Sequence, residues 1–380
     1  MDVISMIVVI FSCLAAADRI FGSRLGLGKE FERGFMLLGN MALSMIGMII
    51  ISPWIAQLLS PAFELFYNAF GIDPSTIPAS LFANDMGGAP LSVEVAKDAG
   101  VGLYNALVVS SMMGVTISFT VPYALGVVKK EKHREMFLGL LCGVVTVPVG
   151  CFVGGLICGV GIGTLLLNLL PIILLSAVIA VGLLLAPNLC VKIFSVFGLL
   201  IKALITVGLV LGILKFLTGL EPIAGLAPLE EGAAVCLNAA VVMTGMFPLI
   251  YIVSRLIKKP LVKIGKAAGI SDTSAMGFVS SLATSMTTFE MMNEMEEKGV
   301  MLNSAFAVSA AFTFAGHLAF TMAFPGSNGV YIGAMIAGKL VGGISALIVA
   351  ALLYGRIYGK TGGDNNKEKA DGVEIISEKE

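Results

Sequence analysis

Residues 81–94 read LFANDMGGAPLSVE and set Asn84, Asp85 and Glu94 beside Gly87, Gly88 and Pro90 in a chain that is otherwise largely hydrocarbon. A backbone broken at Gly-Gly-Ala-Pro leaves N–H and C=O groups outside any helix ladder. In lipid those groups would go unsatisfied, so the stretch must line a cavity enclosed by protein or filled with water.

The surrounding composition makes that cavity a membrane cavity. Of 380 residues 57% are hydrophobic and 13% charged, and the mean hydropathy is +0.96, which excludes an ordinary water-soluble globule. Spanning-length apolar runs recur from the first residues to about Leu353, so the sequence predicts an all-α, polytopic helical membrane protein with one domain over 1–360. Residues 361–380 read as a disordered cytoplasmic tail. Net charge is −1 and no basic patch is interleaved with aromatics, so the lipid bilayer is the expected partner and nucleic acid is not. The six cysteines lie in apolar runs without a CxxC and read as small core hydrophobes.

Blocks of Lys and Arg at 19–33, 129–134, 255–266 and 356–360 mark cytoplasmic loops. They place crossings at about 3–17, 35–59, 101–128, 136–158, 163–187, 196–217, 233–254, 300–323 and 329–353, with the N-terminus outside and the C-terminus in the cytoplasm. Two polar-interrupted stretches, 77–98 and 277–298, read as re-entrant hairpins entering from opposite sides. Residues 61–70, with Phe63, Phe66, Tyr67 and Phe70 at helical spacing, read as an interfacial helix.

Opposite entry suggests an inverted repeat. At an offset of 198, Asn40, Gly47 and Gly71 meet Asn238, Gly245 and Gly269, and Asn105 meets Asn303; within the hairpins the offset is 200, matching Glu94 to Glu294. Repeat one then covers about 35–158, repeat two about 233–353, and spans 163–217 link them. GxxxG spacings at Gly139/Gly143, Gly150/Gly154 and Gly338/Gly342 predict close helix contacts.

An ionisable group at membrane depth costs about 2.5–3.5 kcal/mol on insertion scales, so each needs a partner, a cavity or a role. Candidates for a substrate site are Asn84, Asp85, Glu94, Asn105, Glu290, Asn293, Glu294 and Asn303. Asp85, matched by Ser285 in the second half, reads as a seat for a small ammonium or coupling ion, or as a helix cap toward Gly87 and Gly88, with Phe82, Phe289 or Tyr104 available for cation–π contact. Glu294 belongs either to the site or to the surfacing segment MNEMEEKG. Lys339 lies roughly 15 Å into the last span by helix rise and needs a carboxylate or a cavity; it reads as paired with an acidic hairpin residue, an internal cation that competes with substrate. His317 reads as a proton-coupling group or as a hydrogen-bonded core histidine. No catalytic motif, metal-ligand cluster or cofactor fingerprint is legible, which argues against an enzyme.

LFANDMGGAPLS, the following GLYNALVVSSMMG, the KKEKHRE loop and ATSMTTFEMMNEMEEKG together resemble the ethanolamine permeases of bacterial ethanolamine utilisation, from the first span to about Arg356. The resemblance implies uptake of ethanolamine across the cytoplasmic membrane and assigns no site residue. A carrier for another small solute coupled to sodium or protons, and a channel-like facilitator, are the alternative readings. A homo-oligomer is compatible with all of them.

Overall fold

Hydrocarbon offers backbone groups no partner, so a chain of this composition satisfies them within helices. The computed structural model describes residues 3–358, and every regular element among them is helical. In order these are α1 (Val3–Ile20), α2 (Leu27–Met36), α3 (Leu38–Phe70), α4 (Thr76–Leu81), α5 (Gly88–Val95), α6 (Ala99–Tyr104), α7 (Val121–Val127) and α8 (His133–Ile157). They continue as α9 (Ile162–Leu185), α10 (Pro187–Thr218), α11 (Leu229–Ala267), α12 (Asp272–Ala283), α13 (Ser285–Met291), α14 (Glu297–Ala310), α15 (Gly316–Ala323) and α16 (Gly329–Tyr358). Wide π-helical turns over Asn105–Gly114 and Thr116–Thr120 join α6 to α7.

Among the described residues eight helical stretches are long and apolar enough to cross a membrane, and the fold is an all-α polytopic membrane protein. Two details depart from expectation. Residues 61–70 are not a separate interfacial helix but prolong α3, a 33-residue helix that runs through Pro53 and Pro61. The expected crossing 300–323 is broken into α14 and α15. Phe312 takes a left-handed conformation at the break, φ 62°. Its N–H donates to the Ser281 carbonyl and that of Phe314 to the Leu282 carbonyl, both at 2.9 Å, so protein satisfies the broken backbone at this depth. The tail expected over 361–380 lies outside the described residues.

Small residues let the long helices touch. A Cβ at Gly150 would lie 2.5 Å from the Gly338 carbonyl oxygen, and one at Gly338 2.8 Å from that of Gly150, which fuses α8 to α16. Gly139 and Gly143 give α8 the same close approach to α14. Outward leucines such as Leu174 and Leu199 stay exposed, as a lipid-facing surface requires.

Two helix–break–helix hairpins, α4–α5 and α12–α13, enter this bundle. Their necks are tied by polar side chains. The Asp73 carboxylate accepts from the Ser75 N–H and hydroxyl and, across the neck, from the Lys97 and Asp98 N–H groups. Asn168 Oδ1 accepts from the Asp73 N–H and the Thr76 hydroxyl. At the second neck Glu296 accepts from the Ser271 N–H and the Ser274 hydroxyl. Asn105 Nδ2 donates to the Ser75 and Thr76 hydroxyls, and Asn303 Nδ2 to the Ser274 carbonyl. Gly71 and Gly269, just before the two hairpins, share a left-handed backbone, φ 66° and 69°.

Candidate functional site

The first hairpin breaks where the sequence stops supporting a helix. Gly87 sits at φ 107°, a conformation open to glycine and closed to most residues. A Cβ there would strike the Met48 side chain. The Ala83 N–H donates to the Ser118 hydroxyl at 3.0 Å, and the Gly88 N–H turns back to the Ala83 carbonyl at 2.8 Å. The tip is thereby held against the π-helical stretch with Asn84 and Asp85 at its apex.

The second hairpin breaks at Thr284, whose backbone is extended and whose hydroxyl accepts from the Met286 N–H. Both tips and the α14–α15 break converge on one cavity of about 410 Å³. Asp85 and Met86 line it from the first tip, Ala283, Thr284 and Met286 from the second, and Phe312, Gly316 and His317 from the break. Arg33 of α2, Asn40 and Ser44 of α3, Phe119 of the π-helical stretch and Phe247 of α11 also line it.

Asp85 retains partial exposure and lines this space, whereas Asn84 beside it is fully buried with both amide atoms unpartnered among the described residues. His317 is 2% exposed; its ring packs on Phe312 with centroids 5.1 Å apart, and its Nδ1 has no partner among the described residues. An aromatic row runs from His317 through Phe312 and Phe119 to Tyr123, whose hydroxyl donates to Glu290 at 3.1 Å. Lys339 is wholly buried, and its Nζ donates to the Ser111 carbonyl. No carboxylate stands within ion-pair distance of it among the described residues, so the expected pairing with an acidic hairpin residue is absent there.

Of the predicted residues, then, the structure brings Asp85 and His317 into one cavity, with Asn84 at the tip beside them. The others lie elsewhere. Asn105 and Asn303 are neck ties, and each leaves its Oδ1 unpartnered among the described residues. Glu94 is exposed and lines a different, outer cavity with Gln57 and Glu64. Glu290 and Glu294 are exposed, and Asn293 fastens the loop after α7 through the Lys129 N–H and the Val127 carbonyl. The aromatic candidates also shift. Tyr104 and Phe289 are core residues and Phe82 packs on Phe197, while Phe119, Phe247 and Phe312 line the cavity. Phe119 lies in VTISFTVPY, between Ser118 and Thr120, a mixed pattern that does not separate it from core phenylalanines. Asn40 lines the cavity but its repeat partner Asn238 is exposed elsewhere.

Interrupted helices whose tips carry a carboxylate into a cavity among long apolar helices define a multi-pass membrane protein with an internal polar site. The chain matches the family described as "Ethanolamine utilisation protein, EutH" over residues 1–353. It is 42% identical over 365 residues to a protein of Listeria monocytogenes serotype 1/2a named probable ethanolamine permease EutH, covering 94% of this chain and 95% of that one. Proteins of the same name from Salmonella typhimurium and Escherichia coli K12 are each 36% identical over 390 residues, covering 93% of this chain and 95% of their own. The chain belongs to the EutH family. No solved structure matches it.

Proposed function

We infer that this chain is a permease for ethanolamine, carried as its ammonium form through the cavity between the hairpin tips. The observation that carries the assignment is Asp85: a carboxylate that lines a 410 Å³ cavity at the apex of a helix break, with no ion-pair partner among the described residues. A small ammonium is the complement of that group, and the buried, unpartnered amide of Asn84 beside it suits a hydroxyl. Phe119 and Phe312 add ring faces for the cation. The relatives' printed names point to the same solute.

Alternating access within one domain is the proposed mechanism, with repeat one over about 35–158, linker spans over 163–217 and repeat two over about 233–353. Three pairs at the offset of 198 support it: Gly71 and Gly269 with the same left-handed turn, Asn105 and Asn303 as ties to the first turn of each hairpin, and Asp98 and Glu296 just before α6 and α14. The cavity shares Arg33, Phe247 and Ala283 with a second one of about 250 Å³ that reaches Glu30 and Ser254. If the basic blocks face the cytoplasm, this conformation opens inward.

Purified protein in liposomes tests the reading. Unlabelled ethanolamine on the inside should accelerate entry of labelled ethanolamine. Flux without that acceleration identifies a channel-like facilitator, and no flux, or full uptake by Asp85→Asn, overturns the assignment.

A further inference from the structure

Six polar side chains line the cavity between the hairpin tips, and most of them are committed. Asp85 is the carboxylate of the site. Ser44 donates to the Asn40 and Met41 carbonyls of its own helix, and the Thr284 hydroxyl accepts from the Met286 N–H. Arg33 donates to Glu30 at 3.3 Å and lies over the Phe247 ring, 4.8 Å from its centroid. Asn40 is exposed. Of the six, only His317 is both buried and left with a ring nitrogen, Nδ1, that nothing satisfies among the described residues.

A histidine that served the core alone would pair that nitrogen, because an unpartnered buried polar group costs free energy. The broken helix places the ring instead. Phe312 and Phe314 donate their N–H groups to the Ser281 and Leu282 carbonyls of α12, the His317 N–H turns back to the Phe312 carbonyl at 3.2 Å, and the imidazole packs on the Phe312 ring. One turn further along α15 stands Thr321, at i+4 and so on the same helix face as His317. Its hydroxyl too is buried and unpartnered among the described residues. α15 packs against the first tip, where the Asn84 amide is in the same state. Polar groups on two touching elements thus lack partners beside the one carboxylate of the cavity. A neutral imidazole offers one donor and one acceptor, and a hydroxyl offers one donor and two acceptor sites, so the imidazole and the Asn84 amide can share a ligand hydroxyl. We propose that His317, backed by Thr321, reads the hydroxyl of the substrate and makes the site select a hydroxyalkyl ammonium over an alkylammonium of the same length. The identity of that ammonium rests on the permease reading, and the test separates the two.

The full-length protein in detergent is titrated with ethanolamine and with ethylamine, which lacks only the hydroxyl, and the concentration of each that half-saturates the melting shift is read. Wild type should need about tenfold or more ethylamine. His317→Phe keeps a ring beside Phe312 but no hydrogen bond. It should lose the preference by weakening for ethanolamine, while its response to ethylamine stays within about threefold of wild type. His317→Gln and His317→Asn each supply a donor and an acceptor without a titrating ring, and at least one of them should keep most of the preference, which separates hydrogen bonding from proton carriage. If His317→Phe does not fold, Thr321→Val, which exchanges the unpartnered hydroxyl for a methyl of the same shape, takes its place: a preference cut by about threefold or more supports the seat, and an unchanged one overturns it. Wild type that half-saturates equally with both amines overturns the proposal, as does an undiminished preference in His317→Phe or its complete loss in both amide variants. Uptake of labelled ethanolamine in liposomes decides the permease reading on its own. Uptake with no preference for the hydroxyl leaves that reading standing and sinks the His317 seat, whereas a preference without uptake does the reverse. No melting shift and no uptake with either amine overturns both.

Discussion

Asp73 and Glu296 close the two hairpin necks from opposite ends: Asp73 precedes the first hairpin and reaches forward to the Lys97 and Asp98 N–H groups, while Glu296 follows the second and reaches back to Ser271 and Ser274. Asp73 is 4% exposed and holds four donors. Asp73→Ala strands the two N–H groups beyond the hairpin, and stranded donors cost about 1–3 kcal/mol each. The expected outcome is a loss on the order of 2–4 kcal/mol, seen as a lowered melting temperature in detergent, with a smaller drop for Asp73→Asn. Equal melting of Asp73→Ala and wild type would show that the neck is held by other contacts.

The Glu296 strap should titrate. Burial by itself would raise its pKa, but hydrogen bonds from Ser271 and Ser274 outweigh that and hold the carboxyl below its ordinary 4.5. A folded-state value depressed in this way contributes stability that is complete above the unfolded value. That contribution is lost as pH falls through the folded one. Wild type should therefore lose thermal stability on acidification below about pH 4.5, and Glu296→Gln should start lower at neutral pH and show a shallower acid slope. Parallel melting curves against pH for the two proteins would remove Glu296 from the account.

The helices and the first hairpin break were legible because both follow from local chemistry. Apolar runs in hydrocarbon must be helical, and Gly87-Gly88 beside Asn84 and Asp85 cannot continue a lipid-facing helix. The break at Phe312 has no such signature: phenylalanine rarely takes φ 62°, and the carbonyls that support it come from Ser281 and Leu282. Site membership was legible only at the apex. Glu94 stands nine residues beyond Asp85 along the hairpin, and Glu290 and Glu294 lie past the second tip; at about 1.5 Å of rise per helical residue each is carried well away from the apex. Lys339 was legible as a problem, since a lysine at that depth needs a partner. Its partner is a carbonyl in a widened helix, which no side-chain pattern announces.

Gly114 marks where the first hairpin and the π-helical stretch meet most closely. A Cβ there would run into the Phe82 carbonyl oxygen and crowd that of Ala79, both backbone atoms that cannot swing aside as a side chain would. Gly114→Ala should displace the tip and destabilise by about 1–3 kcal/mol or more. At Gly126, where nothing lies within 4 Å of the added atom, the same change should be nearly neutral. Melting temperature and ethanolamine uptake should both fall for Gly114→Ala and neither for Gly126→Ala.

Asn84 and Asp85 are adjacent, yet their substitutions should separate stability from binding. Asn84 is fully buried with an amide that satisfies nothing among the described residues, a state that costs free energy in the empty protein. Asn84→Ala should leave the melting temperature of the empty protein unchanged or raised, while the upward shift on adding ethanolamine shrinks. Asp85→Asn keeps the shape and removes the charge. Since a hydrogen bond to a charged group is worth about 1.5–3 kcal/mol, affinity should fall by about 10- to 100-fold, read by the ethanolamine concentration that half-saturates the melting shift, with Asp85→Glu losing less. A melting loss for Asn84→Ala as large as that of a core truncation would show that its amide holds the tip together, and the hydroxyl seat would have to be sought elsewhere in the cavity.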